Sequence, residues 1–278
     1  QNHIRKRGRD FSCLLLMFPY RKLLMTVLCI LLNFYQVTNG DRGHTMKKSI
    51  GTYNEKTVHS VLKAFFEPDK SFHEVRYKGL IADIKKDNNI TEIQSAQFGK
   101  LRDKISAFTA EDELTVVYPI PCQKKIIRID TQNGGMSKPR VSPKKGTVYD
   151  IFPEMYGIKD LLCNSRLHFR AVLLDITEYR YVSVVKGSRE KVRRADRIPF
   201  SIAGITELRN PCDVEALIPE MLNREFTSED FAKAAGISGR TARTVILVMR
   251  TLGILKICGK SGRFNLYVRT DSSYLQKS

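Results

Sequence analysis

The six cysteines of this 278-residue chain contain no pair at metal-ligand or redox spacing. Cys13, Cys29, Cys122, Cys163, Cys212 and Cys258 are scattered, with no C-x-x-C, which argues against a zinc site and a disulfide framework. Several fall inside apolar runs, so ordinary buried thiols in a reducing cytoplasm are the expectation. A long hydrophobic run is lacking too. The stretch from Leu23 to Val37 falls short of the ~20 residues a spanning helix needs, and Asn33 interrupts it. Acidic residues are scarce: 29 Asp and Glu face 47 Lys and Arg, a formal charge of +18. A hydrophobic content of 42% nevertheless excludes a disordered basic tail. Residues 1–45 hold 7 basic and 2 acidic residues, which leaves +13 for the remainder. That excess is beyond what solubility needs and favours a polyanionic partner, above all DNA.

The first 45 residues admit three readings. Basic Arg5–Arg9 and Arg21-Lys22 precede an apolar stretch, as in a signal peptide, yet Val37-Thr38-Asn39-Gly40 is a poor cleavage site. Met46-Lys47-Lys48 lies just ahead of the first domain-like helix. Residues 1–45 are therefore expected to be translated upstream sequence outside the protein proper. A membrane anchor through residues 23–37 is the runner-up, and a cytoplasmic protein the main expectation.

Two short apolar runs, Leu80–Ile84 and Thr91–Gln94, each carry one acid and flank a polar turn containing Asn88-Asn89. That pattern predicts a β-hairpin. Side chains alternate along a strand, so Asp83 shares a face with Ile81 and Lys85, and Glu92 with Gln94. In the obvious register Asp83, Glu92 and Gln94 converge on one edge of an apolar sheet. Buried carboxylates are costly unless paired or metal-bound, so a divalent-cation site held by Asp83 and Glu92 is the sharp reading. Two solvated strand residues are the plain one.

These residues resemble the PD-(D/E)xK nuclease superfamily, in which an Asp and an E-x-K motif lie on adjacent strands. Asp83 and Glu92 match the two acids, and Gln94 stands where Lys is usual. A helix over Asn54–Lys63, with Val58, Val61, Leu62 and Phe65 on one face, precedes the hairpin. Glu55 on it matches the acid that many members carry on a first helix. Ala96–Phe108 reads as a helix through Phe98, Leu101, Ile105 and Phe108, and Leu114–Ile120 as a strand. The order α-β-β-β-α-β over about residues 49–121 is that of the superfamily core. The resemblance implies an α/β (α+β) fold, a restriction-endonuclease-like mixed sheet flanked by helices, spanning residues 46–200. It implies Mg²⁺ or Mn²⁺ as cofactor, with Glu55 assisting and Gln94 positioning water. A neutral amide supplies no positive charge there. Lys85 is either a relocated cation or a solvated turn lysine.

Further on, Ile126–Asp130 continues the strand pattern. Between Gln123 and Lys145 seven Lys and Arg face one Asp amid Gly and Pro signals, the marks of a basic loop or of a phosphate-neutralising flap. Phe169–Ile176 reads as a buried strand leading into Glu178–Val182, with Asp175 and Glu178 structural. Lys186–Arg197 reads as a solvated basic connector. From Asp213 the pattern becomes three helices and a hairpin. Val214, Leu217, Ile218, Met221 and Leu222 stripe the first helix. Thr227 caps the second, which Gly236 stops. Ser238 caps the third, which buries Ala242, Val245, Ile246 and Met249. Ile254–Cys258 and Arg263–Val268 pair across Gly259–Gly262.

Residues 213–270 resemble a winged helix-turn-helix, and 236–270 hold seven basic residues and no acidic one. The resemblance implies DNA contact through Arg240, Arg243 and Arg250 on the third helix and Lys260 and Arg263 on the wing. A protein-binding winged helix is the alternative. The expected function is thus a DNA-binding, metal-dependent endonuclease. The alternative is a non-catalytic DNA-binding regulator with a degenerate nuclease-like domain. A homodimer stays open.

Overall fold

Val58, Val61, Leu62 and Phe65 fall on one side of a helix because they recur every three to four residues. The computed structural model describes residues 56–183 and 190–270, and in it that stripe belongs to α1 (Lys56–Phe66). Glu55, Met46 and the apolar stretch 23–37 lie outside the described residues. Among those described, no helix is long and apolar enough to cross a membrane.

Three antiparallel strands follow: β1 (His73–Tyr77), β2 (Leu80–Lys86) and β3 (Asn89–Ile93). The β2–β3 turn is tighter than the sequence suggested. Its two linking residues are Asp87 and Asn88, with Asp87 at φ 50°, a left-handed conformation that Asp tolerates. A 3₁₀ turn at Phe98–Leu101 then leads into α2 (Arg102–Phe108), where the sequence reading had one continuous helix. Phe98, Leu101, Ile105 and Phe108 are all buried as expected. The crossover through α2 makes β4 (Glu113–Asp130) parallel to β3. A second crossover, containing α3 (Phe152–Tyr156), makes β6 (Leu167–Ser183) parallel to β4, and β7 (Lys191–Leu208) closes the sheet antiparallel to β6. The two-residue β5 (Arg140–Val141) pairs with β4. The result is a mixed sheet of order β1-β2-β3-β4-β6-β7 flanked by helices. One face packs under α1 through Ile93, Val117, Val172, Leu174, Ile176 and Ile202. The other packs under α2 and α3.

Strand β4 runs through Asp130, as the pattern of Ile126–Asp130 implies. The segment Lys186–Arg197 is more regular than the expected connector, being strand β7 from Lys191 onward, where β6 pairs with it.

In the C-terminal unit α4 spans only Pro211–Glu215, where a helix through Leu222 was expected. Pro219 explains the early stop, since its ring clashes with the preceding turn and it has no N–H to give. Met221, assigned to the buried stripe, is 79% exposed. The rest follows the capping signals. Thr227 Oγ1 accepts from the N–H of Asp230, and the Asp230 carboxylate returns a bond to the N–H of Thr227, opening α5 (Ser228–Ala235). Gly236, at φ 64°, ends it; Ser238 caps α6 (Gly239–Thr251). Ala242, Val245, Ile246 and Met249 are buried, as is Val248. β8 (Glu225–Phe226), β9 (Leu255–Ser261) and β10 (Phe264–Arg269) form a second sheet of order β8-β10-β9. One apolar cluster runs from Phe98 and Phe108 through Phe152 to Phe231 and Met249, and the Tyr149 hydroxyl donates to Leu217 O at 2.7 Å. Of the described cysteines, Cys163, Cys212 and Cys258 are exposed and Cys122 is half-buried, contrary to the expectation of buried thiols. Cys163 lies in a turn, Cys212 in the first turn of α4 and Cys258 on β9, an edge strand of the second sheet, where an apolar neighbour in sequence does not mean an apolar neighbour in space.

Candidate functional site

The β2–β3 ladder pairs Ile84 with Thr91, Lys85 with Ile90 and Lys86 with Asn89. Continued by one pair, this register sets Asp83 beside Glu92, and there side chains take over from the ladder. Glu92 Oε1 accepts from the backbone N–H of Asp83 at 3.2 Å, and Asp83 Oδ2 accepts from the N–H of Ile93 at 2.8 Å. The two carboxylates thus satisfy amides that a straight ladder would otherwise pair.

Each acid reaches a different helix. Glu92 Oε2 accepts from Lys104 Nζ on α2 at 2.6 Å, while Asp83 Oδ2 lies 3.9 Å from His59 Nδ1 on α1. Glu92 is only 2% exposed. Burial first, and the Asp83 charge second, push its pKa up to about 7, against the opposing pull of Lys104. Near neutrality this carboxyl is therefore divided between its charged and protonated forms.

Gln94 lies just past the end of β3. Its backbone N–H bonds to Val117 O at 2.9 Å, and its side-chain amide donates to Ala96 O at 2.5 Å. Lys85 is neither a relocated cation nor a solvated one. Its ammonium bonds to Asp87 O at 2.7 Å and Asp112 Oδ1 at 3.2 Å, and sits 4.2 Å from the centre of the Tyr77 ring. The cation at the acid pair is Lys104, a residue outside the nuclease-like motif. Its signal was legible: Lys104 is three residues after Leu101 and four before Phe108, so it occupies the core-facing stripe of its helix. A lysine there needs an acid across from it.

Among the described residues, no three His, Cys, Asp or Glu side chains group as a metal cage. The acid pair alone offers two hard carboxylates, the donor type that Mg²⁺ or Mn²⁺ takes alongside waters and substrate phosphate. The donor chemistry fits such a cation, which would compete with Lys104 for Glu92.

The five basic residues singled out in the C-terminal unit, Arg240, Arg243, Arg250, Lys260 and Arg263, are all exposed. None forms an ion pair among the described residues. Arg240, Arg243, Leu247 and Arg250 follow at intervals of three and four along α6 and so share its outer side. The Arg263 guanidinium lies 4.8 Å from the centre of the Phe264 ring, at the turn between β9 and β10.

Residues 56–209 match the family described as "Domain of unknown function (DUF8091)". The chain belongs to that family. The match runs from α1 to the end of β7, so the DUF8091 domain is the large sheet with its helices, and it contains Asp83, Glu92 and Lys104. The chain is also similar to an "Uncharacterized protein" of Treponema pallidum (strain Nichols), 30% identical over 222 residues. That alignment covers 79% of this chain and 87% of the relative, and is longer than the family match. No solved structure matches the chain.

Proposed function

We propose that this protein binds DNA through its C-terminal unit and carries an endonuclease-like phosphodiester hydrolase site in its DUF8091 domain. The observation that carries the second half is the juxtaposition of two acids and a lysine, in which Glu92 accepts from both the backbone N–H of Asp83 and the ammonium of Lys104. The order α1-β1-β2-β3-α2-β4, with β3 parallel to β4, is consistent with the restriction-endonuclease-like core that the sequence resembles. In this reading Lys104 supplies from α2 the positive charge that Gln94 lacks. Asp83 and Glu92 hold a divalent cation, which when bound supplies Lewis-acid polarisation of a phosphate. Lys104 places a fixed ammonium beside the same phosphate. The C-terminal helices and three-stranded sheet act as a winged helix-turn-helix, with Arg240 and Arg243 towards the groove and Lys260 and Arg263 on the backbone.

A second reading, a DNA-binding regulator whose sheet domain is catalytically silent, is favoured by one feature. Both oxygens of Glu92 are already engaged by protein donors. Nicking of plasmid and branched DNA with Mg²⁺ or Mn²⁺ separates the two. The hydrolase reading expects nicking by the parent, and its loss in Asp83→Ala and Lys104→Met. Nicking that survives both changes, or no Mn²⁺ uptake by the parent, contradicts it; the latter with intact duplex binding leaves the regulator.

A further inference from the structure

Beyond Val117, β4 leaves β3 behind and continues with β6 and β7 as a long arm. Side chains alternate along β6, so the arm has two unlike faces. Leu174 and Ile176 belong to the core under α1, and Glu178 and Arg180 follow on that side. There the buried Glu178 carboxylate is held by Arg180 at 2.6 Å, Arg197 at 3.1 Å and Lys124 at 3.5 Å, ion pairs internal to the protein. Tyr179 and Tyr181 take the opposite face. Ladder partners share a face. Ile127 pairs with Tyr179; Met136, Ile129, Tyr181 and Arg193 follow one another in a single row across the arm.

This second face is apolar at its centre and has no core behind it. Among the described residues, Ile127, Ile129, Met136, Tyr179 and Tyr181 belong to neither core cluster. Met136 is 70% exposed, and the other four are half-buried. Neither tyrosine has a hydrogen bond, a ring contact or a cation over its face among the described residues. Apolar side chains gathered on an uncovered surface mark a place of contact. The fringe is positive: Lys191 and Arg193 are exposed and form no ion pair among the described residues. Lys125, two residues before Ile127, has its ammonium 5.0 Å from the centre of the Phe200 ring. The carboxylate of Asp196, which pairs with Tyr179, already accepts from the Thr57 hydroxyl at 3.0 Å and the N–H of Arg197 at 2.7 Å.

We propose that this face of the arm binds single-stranded DNA, with Tyr179 and Tyr181 each stacking on a base and Lys191 and Arg193 meeting phosphates. Aromatic rings supply a platform for bases of any sequence, and basic neighbours follow the backbone. Two residues apart on a strand, the tyrosines are ~7 Å from each other. Duplex DNA advances ~3.4 Å per nucleotide of a strand and keeps its base faces stacked. The wider spacing therefore suits unpaired bases splayed from one another. A second copy of the chain would press the positive fringe against its own like, which disfavours self-association through this face. The choice of DNA rests on the reading of the C-terminal unit as a duplex binder; the stacking needs neither that reading nor a hydrolase site.

The test is fluorescence anisotropy of the full chain with a labelled oligothymidylate, against an abasic strand of the same length and phosphate count. The parent should bind the base-bearing strand about tenfold or more tightly, the scale of one or two stacked bases. Tyr179→Ala and Tyr181→Ala should each reduce that preference severalfold, and Tyr181→Phe, which keeps the ring, should retain it. Duplex affinity should be the same in all three variants, and Arg243→Ala should leave the preference intact, which separates this face from the C-terminal reading. Equal affinity of the parent for the two strands overturns the proposal, and that comparison needs no variant to fold. A preference that both alanine variants keep overturns it too, as does tighter binding of oligouridylate than of oligothymidylate. A dimer that Tyr181→Ala dissociates, with no strand preference, would give the face to a second copy instead.

Discussion

Glu92 is the residue on which the chemistry of the sheet turns, because two environments contend for its proton. Burial and Asp83 favour the protonated form, and the Lys104 ammonium favours the charged one. With a folded pKa of about 7 against an ordinary 4.5, the folded chain holds a proton that the unfolded chain releases across that interval. Stability from this group is therefore full at and below pH 4.5 and falls as pH rises through 7, by up to about 3 kcal/mol. Urea unfolding at pH 5 and pH 8 measures it: Glu92→Gln should remove this component of the slope. If parent and variant show the same pH dependence, Glu92 titrates normally. Lys104→Met removes the one cation at a buried acid, and should cost ~1–3 kcal/mol at pH 8 and less at pH 5, where Glu92 takes up a proton. An equal loss at both pH values would mean that the lysine acts through packing alone.

At the scale of elements, capping residues carry more weight than their size suggests. Thr227 and Asp230 satisfy each other's amides at the start of α5, and Thr227→Ala should lower stability by about 1 kcal/mol in denaturant titration. An unchanged midpoint would show that tertiary packing alone orders this helix. Such local signals are the reason α5, α6 and the β9–β10 hairpin were legible in the sequence, each at nearly its observed limits. The β2–β3 hairpin was legible for a similar reason, two short apolar runs around Asp87, Asn88 and Asn89. What escaped was of another kind. The helical period places Lys104 on the buried stripe, but no local period names the strand residue it meets, Glu92, 12 residues and one element away. The strand character of Lys191–Arg197 was hidden because a basic run reads as solvated until a partner strand pairs it. Pro219 was in plain view, and the apolar stripe around it outweighed it in the reading although its steric effect is the stronger one.

At the scale of the molecule the dominant fact is a charge of +18, and two basic surfaces stand out among the described residues. One is the β4–β6–β7 arm around Glu178. The other is the outer side of α6 with the β9–β10 turn, in a stretch (residues 236–270) that holds seven basic residues and no acidic one. The second surface is the one proposed to bind DNA. Binding of a short duplex, titrated at 50 mM and 200 mM salt, tests this most directly, since each phosphate contact that is lost flattens the logarithmic salt slope by about one. The parent should lose about 10³-fold or more in affinity between the two salts if six or more phosphates are contacted. Arg243→Ala should weaken binding by ~1–3 kcal/mol with altered sequence preference, and Arg263→Ala should weaken all sequences alike with a flatter slope. A parent that binds duplex with no salt dependence, or variants Arg240→Ala, Arg243→Ala and Arg263→Ala that all bind as the parent does, would contradict DNA binding through this surface.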